Sequence, residues 1–153
     1  MKRTKLKTDL RVSNCSSAYQ FATPSFVIFS ILAVIGVCGD AEYPAHLTSS
    51  VHLSPKAAMM FSDSGWLFSA DKRIAQNTPP REGQEWSAEA DLERRTLHFF
   101  IDGVQQPHHF RNLPVPLVFA IEVLTKDIPI EITFWGELMK SHVMHQGIGH
   151  KLR

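Results

Sequence analysis

Cysteine is scarce. The 153-residue chain holds only Cys15 and Cys38, and two widely spaced cysteines exclude a disulfide framework and favour a reducing compartment. Net charge is nearly absent: 16 Lys and Arg against 15 Asp and Glu leave +1, so no global field favours nucleic acid or an anionic membrane. No apolar run reaches the ~20 residues of a membrane helix. Glycine-rich phosphate loops are missing. Ser62-Asp63-Ser64-Gly65 is no nucleophile elbow, because no strand-to-helix turn surrounds it. Helical periodicity over about 10 residues is missing too, and so is any internal repeat. What is abundant is apolar: 44% of the chain, with 10 Phe, enough for a packed core in one domain.

The strongest pattern runs from Trp86 to Gly103. Trp86, Ala88, Ala90 and Leu92 alternate with Ser87, Glu89 and Asp91. After Glu93-Arg94-Arg95 the alternation resumes, with Leu97, Phe99 and Ile101 opposed to Thr96, His98 and Phe100. Period 2 predicts two half-buried strands, the larger apolar residues facing inward. Asp102-Gly103 supplies the positive-φ pair of a tight hairpin turn.

Residues 26–38, largely Phe, Val and Ile, follow a basic start with Lys2, Arg3, Lys5, Lys7 and Arg11. The run has the length of a signal-peptide core, and a membrane anchor is another reading. Its β-branched content and the long polar lead favour strand buried on both faces, which Ser30 and Gly36 can divide. Cys38 within it reads as a small buried hydrophobe.

The rest of the chain follows the same alternation of strands and turns. Residues 1–22 are polar and Ser-rich, a flexible arm. Residues 40–44 form a loop, 57–61 read as strand or helical turn, 66–68 as a short strand, and 71–83, with Asn77-Thr78-Pro79-Pro80, as a loop. Residues 104–110 form the return arm of a hairpin; 117–123 and 130–135 are two further strands. Residues 139–153 are polar, His-rich and Gly-containing, a loose tail. Strand after strand with turn signals between them predicts an all-β antiparallel sandwich spanning 23–138.

The residues 82–86 and 89–103, ending in Phe99-Phe100-Ile101-Asp102-Gly103, resemble the SPRY domain, a β-sandwich of jelly-roll or concanavalin type. Ser64-Gly65-Trp66-Leu67-Phe68, the segment 116–121 and the segment 130–136 are similar to further strands of that family. Asp102 stands where Asn is usual, and Gln84-Glu85-Trp86-Ser87 replaces the usual Asp-x-x-Gly. The resemblance implies a non-enzymatic intracellular module that binds a protein or peptide through loops at one end of the sandwich. No cofactor, metal, nucleic acid or membrane is implied. The alternatives are a secreted or anchored variant using 26–38 for targeting, or a structural piece of a larger protein, linked for example to a kinase or ligase.

Two polar groupings read as structural. His108 and His109 are adjacent, so a strand points them to opposite faces and they cannot chelate one ion. Glu89 and Asp91 precede Arg94 and Arg95, which predicts a surface ion-pair network rather than acid–base chemistry. The candidate binding residues are Tyr43 beside Asp40 and Glu42, Trp66 after the Gly65 turn, Arg73 in the Pro-rich loop, and Trp135 closing the last strand. Tyr, Trp and Arg dominate interface energies. For Trp66 and Trp135 packing is the competing reading.

Overall fold

The computed structural model describes residues 21–28, 33–39, 56–70, 72–123, 130–138, 140–144 and 146–152. The strands are β1 (Phe21–Ile28), β2 (Ala33–Gly39), β3 (Ala57–Phe61), β4 (Trp66–Ser69), β5 (Lys72–Gln76), β6 (Glu85–Asp91), β7 (Thr96–Ile101), β8 (Val104–Gln105), β9 (His108–Arg111), β10 (Leu117–Val123), β11 (Ile130–Leu138) and β12 (Ile148–Lys151). No helix occurs among the described residues.

The strands form two sheets. The first runs β11-β1-β6-β7-β9-β12, with β8 also on β7; the second runs β10-β2-β3-β4-β5. All pairs are antiparallel except β12 with β9. The inward half of the 86–101 alternation is placed as expected, while Glu89, Asp91, His98 and Phe100 on the other half are buried as well. Trp86, Ala88, Ala90, Leu97, Phe99 and Ile101 face the interior, where they meet Ile35, Val37, Met60 and Leu67 from the opposing sheet. Asp102 (φ 49°) and Gly103 (φ 75°) close the β7–β8 turn with two left-handed residues, the geometry that suits a right-twisted hairpin.

Several elements differ from the sequence reading. The apolar run 26–38 is divided between β1 and β2, which lie in opposite sheets. Its two described parts join different partners, β6 and β11 against β3 and β10. The arm expected over 1–22 ends earlier, since β1 already begins at Phe21; residues 1–20 lie outside the described residues. Residues 72–76, expected in a loop, form an edge strand on β4 with a register shift at Leu67/Phe68. Its Lys72, Arg73 and Ile74 are exposed, so neither face carries the apolar period that marks a strand.

The larger correction concerns the end of the chain. Residues 148–151, read as part of a loose tail, pair in parallel with β9, and Leu152 is buried in the core. Two glycines in six residues hide the strand pattern. The surface reading of Glu89 and Asp91 is corrected as well: they are 2% and 3% exposed, although Arg94 does reach Asp91 at 4.0 Å as the ion-pair reading expects. Glu89 accepts hydrogen bonds from the Ser141 hydroxyl (2.5 Å) and the His142 N–H (3.1 Å), with His142 Nδ1 at 3.3 Å. Asp91 caps the β6–β7 turn, accepting from the Glu93 and Arg94 amides at 3.0 and 2.9 Å.

Candidate functional site

One end of the sandwich is built from three turns that are tied to one another. In the β3–β4 turn Gly65 sits at φ 71°, and a Cβ there would collide with the Asn77 carbonyl. Asn77 donates its N–H to the Gly65 carbonyl at 2.9 Å, which brings the β5–β6 loop against that turn. Gln76 Nε2 adds a bond to the Ser64 carbonyl at 2.8 Å. Farther along the loop, Gln84 Oε1 accepts from the Arg81 amide (2.8 Å) while Gln84 Nε2 donates to Asp102 Oδ2 (2.8 Å). Asp102 Oδ1 accepts from the Glu85 amide at 2.8 Å. Gln84 and Asp102, the two departures from the SPRY pattern, are therefore partners.

Between the first two of these turns lies an open cavity of about 360 Å³, lined by Ser62 and Asp63 on one side and Thr78, Pro79, Pro80, Arg81 and Glu82 on the other. Pro79 and Pro80 have no N–H to satisfy and fix their own φ, so they make a stiff wall. Asp63, Arg81 and Glu82 give the rim both signs of charge.

Trp66 leads out of this end directly after Gly65, and its register partner Gln76 directly precedes Asn77. Trp66 and Phe68 alternate with buried Leu67 and Ser69, so they lie on the outer face of the second sheet, half-buried. The Arg73 guanidinium stands over the Trp66 ring, 5.4 Å from its centroid. Phe61 packs on Phe68 with centroids 4.5 Å apart. The result is an aromatic strip with one exposed cation on it, continuous with the cavity end. An exposed cation–π contact contributes about 0.5–1 kcal/mol, little enough that either group can exchange it for an incoming partner.

Of the four candidate binding residues, Trp66 and Arg73 are therefore brought together. Trp135 is not with them. It lies within β11, opposite Pro24, in the other sheet, and β11 continues three residues past it to Leu138. Tyr43, with Asp40 and Glu42, lies outside the described residues. The cavity itself was not found from sequence. Asn77-Thr78-Pro79-Pro80 is legible as a loop, but nothing in the sequence shows that it faces the Ser62–Gly65 turn.

The histidines separate as the strand geometry requires. His109 stacks on His98 (centroids 4.2 Å), while His108 on the other face meets His150. Among the described residues no three His, Cys, Asp or Glu side chains converge as a metal site.

Among solved structures, the SPRY domain of human HERC1 superposes on this chain with a TM-score of 0.60. The fold is that of a SPRY domain. The alignment covers 81% of this chain and 79% of the HERC1 domain, at 15% sequence identity. The sequence matches no protein-family model and no curated protein.

Proposed function

We propose that this chain is a non-enzymatic interaction module that takes a short peptide segment of a protein partner at the end formed by the β3–β4 turn and the β5–β6 loop. The carrying observation is the Trp66–Arg73 pair standing beside the cavity of residues 62–63 and 78–82. Rigid sandwiches carry recognition on their loops, and here the loops are cross-tied, so little ordering entropy is left to lose on binding. Trp and Arg supply the anchor chemistry: an amphipathic ring and a planar cation. The SPRY-like fold supports the reading, since the resemblance implies peptide or protein binding. We also place it in a reducing, cytoplasmic compartment, which its two widely spaced cysteines favour.

The test is a peptide array probed with the purified chain, followed by titration of the best binder against Trp66→Ala and Arg73→Ala. At least one replacement should weaken binding by more than about 1 kcal/mol with an unchanged melting temperature. Binding losses that always track stability losses would place these residues in packing alone.

A further inference from the structure

The last described strand is seated in a groove made to measure. The Ile148 N–H donates to the Pro107 carbonyl (2.7 Å), the Leu152 N–H to the Arg111 carbonyl (2.9 Å), and Asn112 Nδ2 to the Leu152 carbonyl (3.1 Å). Leu152, 4% exposed, enters the core. One position requires glycine: a Cβ at Gly147 (φ 109°) would collide with the Pro107 backbone oxygen; a Cβ at Gly149 would push aside the end of the Arg111 side chain and crowd His109 Nε2, so glycine is the best fit there. The groove thus reads a pattern, Gly-x-Gly-x-x-Leu, along one exposed strand edge. Ile148, between the glycines, is 57% exposed and adds little burial.

The remaining contact is unusual. His108 Nδ1 and His150 Nε2 face each other at 3.0 Å. Such a contact holds at most one proton between the two nitrogens; with both protonated it becomes two cations in contact. The surroundings on the described elements are mostly basic. Arg111 and His109 flank His108 on β9, Lys151 follows His150 on β12, and His98 stacks on His109 from β7. β6 carries three carboxylates: Glu85 at its start, beside the Asp102 turn, and Glu89 and Asp91, engaged by Ser141 and His142 and by the β6–β7 turn. The His150 imidazole is held below its ordinary value by burial first, then by His108 and Arg111. His109 is lowered by burial, then by Arg111, His150 and His108.

We propose that the edge of β9 is a docking groove for an extended Gly-x-Gly-x-x-Leu segment, that residues 147–152 of this chain fill it as a resident strap, and that protonation across the His108–His150 contact releases them. A ring that is harder to protonate docked than free drives release in acid. Docking is full above the free imidazole value near 6.5 and is lost as pH falls below it toward the docked value. Release leaves the backbone donors and acceptors of β9 open, and they fit the same segment from a second copy of this chain.

The test uses the full chain. Hydrogen exchange, corrected for intrinsic rates, is compared at about pH 7.5 and about pH 5.5. Peptides covering 147–152 should exchange about tenfold faster at the lower pH, while 85–101 stays protected. His150→Gln should keep 147–152 protected at both. In parallel, a dye-labelled peptide of residues 146–153 carrying His150→Gln is added to the wild-type chain. It should bind at the lower pH and not at the higher, and the same peptide with Gly147→Ala should bind at neither. Equal protection of 147–152 at both pH values would overturn the proposal. So would loss shared with 85–101, loss unchanged in His150→Gln, or peptide binding indifferent to Gly147→Ala.

Discussion

Asn77 serves His108 as a neighbouring strand would. Its Oδ1 accepts the His108 N–H at 2.9 Å and its Nδ2 donates to the His108 carbonyl at 3.0 Å. Asn77 directly follows β5 of the second sheet and His108 opens β9 of the first, so one 4%-exposed amide side chain clasps the sandwich together at its cavity end. Gln106 adds a second strut, its Oε1 accepting the Thr78 amide at 3.3 Å.

Asn77→Ala removes both bonds and leaves the His108 N–H and C=O unanswered. Each orphaned buried group costs about 1–3 kcal/mol. Urea denaturation should therefore show a loss of about 2–5 kcal/mol, with the slope of the transition unchanged. A loss below about 0.5 kcal/mol, the range of ordinary surface replacements, would mean water takes the place of the amide.

Leu152 is the sharpest test of the chain end. A side chain in a loose tail tolerates truncation within about 0.5 kcal/mol. Buried against Phe110 and its neighbours in the core, Leu152→Ala should cost about 2–5 kcal/mol, in the same class as Phe99→Ala at about 3–5 kcal/mol. Comparing the midpoints of the two variants decides the matter.

Glu89→Ala should expose the segment it holds. Ser141 and His142 lose their acceptor, and limited proteolysis should begin within residues 140–146 while the core resists. The stability loss should exceed that of Ser141→Ala, because Glu89 holds both Ser141 and His142, whereas losing the hydroxyl, which donates to Glu89 and accepts from the Val143 amide, leaves His142 on the carboxylate. Equal cleavage of wild type and Glu89→Ala would show the segment is held elsewhere.

Stability should also depend on pH through His109. Burial, Arg111 and the two neighbouring imidazoles depress its pKa in the folded chain, so the folded state resists its protonation. Stability is complete above the unfolded value near 6.5 and declines as pH falls below it. Thermal midpoints recorded from about pH 7.5 down to about pH 5 should fall, and His109→Gln should flatten the decline. A profile unaltered by that substitution would assign the decline to other groups.

The sequence made the centre of the fold legible because Trp86 to Ile101 satisfies one rule twice: period 2, with a charged turn between and Asp-Gly after. Residues 117–123 were equally legible as a strand. What stayed hidden depends on partners far along the chain. Glu89 alternates with Ala88 and Ala90 and so reads as solvent-facing; only the return of Ser141 and His142 buries it. Gly147 and Gly149 look like slack, yet they are the fit of β12 against Pro107 and Arg111. Arg73 was found for its chemistry but placed in a loop, since an exposed edge strand leaves no apolar period. Its position over Trp66 follows from the β4–β5 register, which carries a shift that no local pattern encodes.

The place of β1 in its sheet has a consequence in time. It lies between β6 and β11, so neither of its edges is satisfied by a neighbour in sequence. About 100 residues separate its end at Ile28 from the start of β11 at Ile130. At a synthesis rate of about 5–20 residues per second, β1 waits on the order of 5–20 s for its second partner. Meanwhile β6 and β7, joined by the short turn after Asp91, can pair at once. The order of birth is therefore not the order of assembly: a hairpin made midway is the template, and the earliest of the described strands is among the last of them to be enclosed.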